Sequence, residues 1–183
     1  MKTPRSLCVL CGSQSGSDPA YAEAAAELGK IVGRARIRLV YGGGAMGLMG
    51  ELARAALAAG GEVIGVMPRF LREREVQQNG LSKLILTETL TERKLLMTQM
   101  SDALAALPGG FGTVDELTEI MSWRALKIIA KPIVIVDIAH FWAPFFALVD
   151  HAVKTEFSSP GLKANFKVVK SAAEVLAAAN LKA

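Results

Sequence analysis

The sequence predicts an α/β fold: a doubly wound parallel sheet with helices on both faces, in a single domain spanning residues 1–183. Three observations lead there. Apolar strand-like runs alternate with Ala-rich helical stretches along the whole chain. The runs are apolar at successive positions, as in Ile133-Val-Ile-Val136, which suits strands covered on both faces. With 183 residues, 51% hydrophobic and 21% charged, the chain has core for about one domain and is not disordered.

The elements follow in order. Leu7–Cys11 is a short apolar strand. Asp18-Pro19 supplies an N-cap and a first-turn proline for a helix over Ala20–Arg34. Arg36–Tyr41 is the second strand, Gly42–Ala45 a glycine turn, and Met46–Ala59 a helix closed by Gly60-Gly61. Glu62–Met67 is the third strand. The charged segment Arg69–Asn79 reads locally as a solvated loop. It also follows the carboxyl end of a strand, where open α/β sheets bind ligands, so a ligand-facing loop is the second reading. Lys83–Leu86 is a strand, and Thr89-Leu-Thr-Glu92 is a candidate capping box opening a helix over Thr89–Met100. Ala103–Leu107 leads into a second glycine turn, Pro108–Gly112, and a helix over Thr113–Leu126. The chain ends with strand Pro132–Val136, helix Trp142–Thr155, strand Phe166–Val169 and helix Ala172–Ala179.

Composition excludes several function classes. The net charge of +4 is mild and diffuse, and no basic run carries interleaved aromatics, so nucleic acid is not an expected partner. An anionic small substrate fits this balance. No stretch reaches the roughly 18 apolar residues of a membrane span, and Met1-Lys-Thr-Pro-Arg5 leads into only a short apolar run, so a cytoplasmic location is expected. Cys8 and Cys11 form C-x-x-C, but within a strand positions three apart face opposite sides. With no second pair and with His140 and His151 far off in sequence, both thiols read as buried and inert, with no metal site.

Two glycine turns carry the chemistry. Gly42-Gly-Gly-Ala-Met-Gly47 satisfies G-x-G-x-x-G, and Gly43, Gly44 and Gly47 are candidate positions for backbone approach to a phosphate at a helix N-terminus. A dinucleotide would also need an acid at the end of the next strand to hold the ribose. That strand ends in Met67-Pro-Arg69, and Glu62 stands at its beginning, so NAD is disfavoured. The second turn, Leu107-Pro-Gly-Gly-Phe-Gly-Thr-Val-Asp-Glu116, suggests the other side of one phosphate-bearing pocket. Thr113-Val-Asp-Glu116 alone also fits a capping box, which would leave Glu116 a structural role only. Arg93 and Lys94 fall in the first turn of their helix, where the macrodipole disfavours cations. Surface tolerance and an anionic ligand are the two readings of that placement.

Taken together, Cys11-Gly-Ser13, Tyr41-Gly-Gly-Gly-Ala-Met-Gly-Leu-Met-Gly50, Gly65-Val-Met-Pro68, Glu92-Arg-Lys94 and Pro108-Gly-Gly-Phe-Gly-Thr-Val-Asp-Glu116 resemble the Lonely Guy family. These are cytokinin riboside 5′-monophosphate phosphoribohydrolases. The match is co-linear from about Leu7 to Leu176. Some members have been labelled lysine decarboxylases, yet no lysine here stands in an evident cofactor-binding setting. The resemblance implies a Rossmann-like fold and hydrolysis of the N-glycosidic bond of a nucleoside 5′-monophosphate, without cofactor or metal. It also implies a homodimer with the site near the interface.

Carried over by residue, the resemblance implies that Gly109, Gly110, Phe111, Gly112 and Thr113 hold phosphate and ribose. Glu116 and Arg93 are then catalytic, and Lys94, Glu75 and Ser122 line the substrate site. Asp115, adjacent to Glu116 on a helix, points elsewhere, and Glu119 reads as a solvated carboxylate. Leu117, Ile120, Met121 and Trp123 serve either a subunit contact or the core. The chain departs from the family's W-x-Q-L-G at Trp123-Arg-Ala125-Leu-Lys127, which bears on base recognition. A non-catalytic nucleotide or cofactor carrier of the same fold is the competing function, and Arg93 together with Glu116 is the feature such a carrier does not require.

Overall fold

The computed structural model describes residues 5–72 and 76–181. Seven strands form one parallel sheet in the order β4-β3-β2-β1-β5-β6-β7. They are β1 (Ser6–Leu10), β2 (Arg38–Tyr41), β3 (Val63–Pro68), β4 (Lys83–Thr87), β5 (Ala103–Ala106), β6 (Ile133–Val136) and β7 (Lys167–Val169). Leu7 pairs with Leu39 on one side and Ala103 on the other, so the strand order reverses between β1 and β5. A crevice at the carboxyl ends of the strands flanking such a reversal is where open α/β sheets bind ligands.

Alternation along each strand divides the core into two layers. Leu7, Val9, Leu39 and Tyr41 pack under α1 (Pro19–Arg34) and α2 (Gly47–Ala58). Cys8, Leu10, Val40 and Leu104 pack under α4 (Leu90–Gln99), α5 (Phe111–Ala125) and α6 (Ala143–Lys154). The predicted doubly wound sheet is therefore observed. The expected start of α1 is also observed: the Asp18 carboxylate accepts the Ala20 amide at 2.9 Å, and Pro19 opens the helix. Cys8 and Cys11 are buried, unpaired and on opposite faces, and burial pushes both thiols up. Among the described residues no helix is long and apolar enough to cross a membrane.

Several boundaries differ from the sequence reading. β1 starts one residue earlier, at Ser6, and β2 starts only at Arg38 because Arg36 takes a left-handed φ of 52°. The segment expected as a loop after β3 opens with a short helix, α3 (Arg69–Arg72). Further on, it is tied to the first glycine turn: Gln78 N donates to Gly43 O at 3.0 Å, and Ala45 N donates to Val76 O at 2.8 Å. The expected final helix divides into a 3₁₀ turn, Ala172–Glu174, and α7 (Val175–Ala178). Leu117, Ile120 and Met121 are buried in the α4–α6 core, and Trp123 packs against it, so their apolar character serves the interior.

Candidate active site

The loops after β1 and β5 meet at the strand reversal. Gly12 N donates to Pro108 O at 3.1 Å, drawing the two loops together. Gly109 fills the narrow space between them. An added Cβ there would lie 2.6 Å from Thr113 Cβ and 2.9 Å from Gly12 N. Gly110 then caps α5 without any side-chain bond, and the helix begins at Phe111. The first helical amides have no intrahelical acceptor, and the positive end of the macrodipole sits at the same place. An added Cβ at Gly110 or Gly112 would meet nothing within 4 Å, so this end of the helix is open.

This start corrects the capping-box reading of Thr113 and Glu116. Thr113 is the third residue of α5, not its cap, and Glu116 lies in the second turn. The flexible appearance of Pro-Gly-Gly-Phe-Gly hid two helical residues. The capping box predicted at Thr89 forms in a shifted version, with the return bond displaced from the Thr89 amide. Thr89 Oγ1 accepts Glu92 N at 3.0 Å, and the Glu92 carboxylate accepts the Glu88 amide at 2.8 Å, one residue before the cap.

That cap places Arg93 at the end of the first turn of α4 and Lys94 at the start of the second, opposite α5. Arg93 is buried, and its Nη2 lies 3.5 Å from Glu116 Oε1. Its Nε is buried without a hydrogen-bond partner. Lys94 Nζ reaches Asp115 Oδ2 at 2.9 Å and Glu119 Oε2 at 2.8 Å. Carboxylates of α5 thus answer the two misplaced cations, where surface tolerance or a ligand was expected. Glu119 is correspondingly part of an ion-pair network and not a solvated carboxylate. Burial lowers the Lys94 pKa, but its hydrogen bonds to Glu119 and Asp115 outweigh that and hold it above its ordinary value.

Glu116 shows the opposite balance. Its side chain is only 13% exposed, and burial raises its pKa. Arg93, then Lys94, pull it back, while Asp115 and Glu119 add to the rise. The net shift is upward, so the carboxylate is more basic than an ordinary glutamate. It faces a cavity of about 320 Å³ with Arg93, Lys94, Thr113, Ser13 and apolar walls from Met49, Leu71 and Leu90. Phe111, 94% exposed, is also part of the lining. A second cavity of about 260 Å³ shares Ser13 and Gly110 and adds Tyr21 and Phe141, whose rings meet edge to face at 5.7 Å. A larger cavity of about 600 Å³ opens at the amino ends of the strands. Its charged groups are already engaged: Lys131 on the Thr98 and Gln99 carbonyls, Arg38 with Glu62, and Asp102 with Ser6.

The sequence candidates divide accordingly. Arg93, Lys94, Gly110, Phe111, Gly112, Thr113 and Glu116 line the first cavity, and Gly109 lines the second. Gly43, Gly44 and Gly47 line neither. Gly43 and Gly47 have φ values of +85° and +57°, and a Cβ on Gly47 would strike the Ser13–Gln14 backbone. Gly44 O accepts the Tyr41 hydroxyl at 3.3 Å. Ser122 lies away from this cavity, in the groove between α5 and α6, with its hydroxyl on Thr118 O at 2.9 Å. Glu75 is outside the described residues. Met49, Leu71 and Leu90 were not singled out from sequence, since isolated apolar residues give no local signal. The Lys94 partners were recoverable in principle from two unmatched cations and three carboxylates clustered at residues 115–119.

A family model described as a possible lysine decarboxylase matches residues 49–179. A cytokinin riboside 5′-monophosphate phosphoribohydrolase of Rhodococcoides fascians is 37% identical over 96% of this chain and 89% of that protein. A probable enzyme of the same name from Oryza sativa subsp. japonica is 43% identical over 85% of this chain and 69% of its own. One from Arabidopsis thaliana is 40% identical over 84% and 71%. Among solved structures, the molybdenum cofactor carrier protein of Chlamydomonas reinhardtii superposes with a TM-score of 0.72 at 24% identity, covering 97% of both chains. The molybdenum cofactor binding protein of Rippkaea orientalis gives 0.73 at 18%, covering 97% of this chain and 96% of its own. Those two are likenesses of fold. Given the family match over most of its length and these identities to the phosphoribohydrolases, the chain belongs to the Lonely Guy family of cytokinin riboside 5′-monophosphate phosphoribohydrolases.

Proposed function

We propose that the protein hydrolyses the N-glycosidic bond of nucleoside 5′-monophosphates carrying adenine or an N6-modified adenine, releasing the free base and ribose 5-phosphate. The observation that carries this is the buried Glu116, 3.5 Å from Arg93, in a cavity that also includes the open N-terminus of α5. The phosphate docks on the first amides of that helix, at Gly110 to Thr113. The ribose then lies over Glu116, and Met49, Leu71 and Leu90 offer apolar contact to the base.

Cleavage of the C–N bond passes through an oxocarbenium-like state. The Glu116 carboxylate opposes the developing positive charge. It also accepts a proton from the attacking water, whose oxygen bonds to the anomeric carbon, and that proton passes on to the departing base nitrogen, which restores the carboxylate. Burial supports this role, because it makes the carboxylate a stronger base than in water. Arg93 brings a buried guanidinium to the cavity wall, where its positive charge faces the ligand. Lys94, held by Asp115 and Glu119, fixes α4 against α5. No cofactor enters this chemistry.

A carrier of nucleotide or cofactor would use the same cavity but has no need of a buried carboxylate facing a buried cation. The proposal extends to a cytoplasmic homodimer. The groove of about 470 Å³ between α5 and α6 includes Leu126, Leu148 and Phe157, which are 71%, 62% and 91% exposed and suit a second copy. Incubation with AMP, N6-isopentenyl-AMP, GMP and CMP, followed by chromatography of released base, tests the activity. Release from the adenine nucleotides and not from CMP is expected. Binding of AMP without release of base would favour the carrier.

A further inference from the structure

We propose that Gly42 is a positioning residue for Arg93: the bare backbone of Gly42, at the carboxyl end of β2, is the seat on which the guanidinium lies. This rests on the reading of Arg93 as the catalytic cation. The first glycine turn looked like a phosphate cradle in sequence, yet its glycines have different reasons to be glycine. Gly43 and Gly47 have φ values of +85° and +57°, a backbone that disfavours side chains. Gly42 is not among the positive-φ glycines, so its conformation does not demand glycine. The space around it does. A Cβ there would collide with Arg93 Nη2, lie 3.3 Å from Arg93 Cζ, and stand 2.8 Å from Met49 Sδ.

The guanidinium has little else to hold it. Among the described residues its ion pair is with Glu116, and 3.5 Å is long beside the roughly 2.7–2.9 Å of a strong charge-assisted hydrogen bond. Its Nε has no partner. Packing against Gly42 and Met49 therefore fixes where the charge sits. A methyl at position 42 is relieved most cheaply by withdrawal of the flexible Arg93 tip, which leaves the fold intact and moves the cation. A misplacement of about 1 Å in such a site costs up to about 10²-fold in rate.

The test is a double-mutant cycle on base release from AMP, with a crystal structure of Gly42→Ala. Gly42→Ala should lower kcat by up to about 10²-fold while KM changes less. In the Arg93→Ala background the same substitution should change kcat by no more than a factor of about two, because the two residues act as one unit. An equal loss in both backgrounds, or a loss confined to KM as a phosphate cradle would give, overturns the proposal. The crystal structure reads the contact without turnover, so it stands even if the wild type releases no base and the functional reading fails. A guanidinium displaced from its wild-type position is expected, and one unmoved beside the added methyl group overturns the seat. If Gly42→Ala fails to fold, Gly42→Ala with Arg93→Ala must regain the fold of Arg93→Ala; failure to do so has the same force.

Discussion

Replacing Glu116 by Gln separates its chemical role from its structural one. Gln keeps the size of the side chain and an oxygen facing Arg93, whose Nη2 stands 3.5 Å from the Glu116 carboxylate. What it loses is the charge. Electrostatic and acid–base assistance by a positioned carboxylate is worth about 10²–10⁴-fold in rate, or roughly 3–5 kcal/mol of barrier. Stability moves differently. Burial holds the Glu116 pKa above its ordinary value, so ionisation is harder in the fold than in the unfolded chain. That makes wild-type stability fall as pH rises from the usual Glu pKa of about 4.3 through the raised folded value, and then level off. The Gln variant lacks this fall. It should therefore gain on the wild type across that window and lie within about 1 kcal/mol of it or above at neutral pH. Base release from AMP gives the first quantity, and urea unfolding from about pH 4 to about pH 8 brackets the second. A variant that keeps most of its turnover would refute the catalytic role. A large loss of stability at neutral pH would show that the carboxylate is a structural partner of Arg93.

Further expectations follow from neighbouring groups. Arg93→Gln should raise the Glu116 pKa still further, because the guanidinium is the largest influence holding it down; carbon-13 NMR of the carboxyl group would show this, and an unchanged or lowered value would contradict it. Gly109→Ala should cost about 1–3 kcal/mol of stability, since its Cβ would press on Thr113 Cβ at 2.6 Å and Gly12 N at 2.9 Å. Gly112→Ala, with nothing within 4 Å of its Cβ, should instead gain up to about 1 kcal/mol of helix propensity; thermal unfolding of both variants checks the contrast. Leu148→Glu should reduce a dimer to a 19.4 kDa species in sedimentation equilibrium, and a wild type already at that mass would remove the proposed second copy.

The sheet was legible because its signals are collective. Runs such as Ile133–Val136 are apolar throughout, and Asp18-Pro19 marks a helix start by a local mechanism that the structure reproduces. The strand reversal between β1 and β5, which creates the crevice, depends on pairing between segments about 100 residues apart and has no local trace. At the site, the Gly-rich turn and Glu116 stood out as a pattern, but the start of α5 did not, because two glycines near a helix end mimic a loop. The ion pairs of Lys94 are hidden for a related reason. Its partners Asp115 and Glu119 sit on a different helix, and spacing within one helix cannot reveal them. Ser122 shares α5 with Glu116, yet helical rotation carries it into the groove facing α6.

In the proposed mechanism a phosphate docked on α5 places the ribosyl bond over Glu116, and turnover of AMP against adenosine tests that arrangement. Both offer the same base and the same bond, and they differ in the phosphate proposed to dock on the helix N-terminus. Quantifying adenine and ribose 5-phosphate released by the wild-type protein should give equimolar products from AMP and little adenine from adenosine. Equal release of adenine from the two substrates, or none from AMP that is demonstrably bound, would rule out that arrangement.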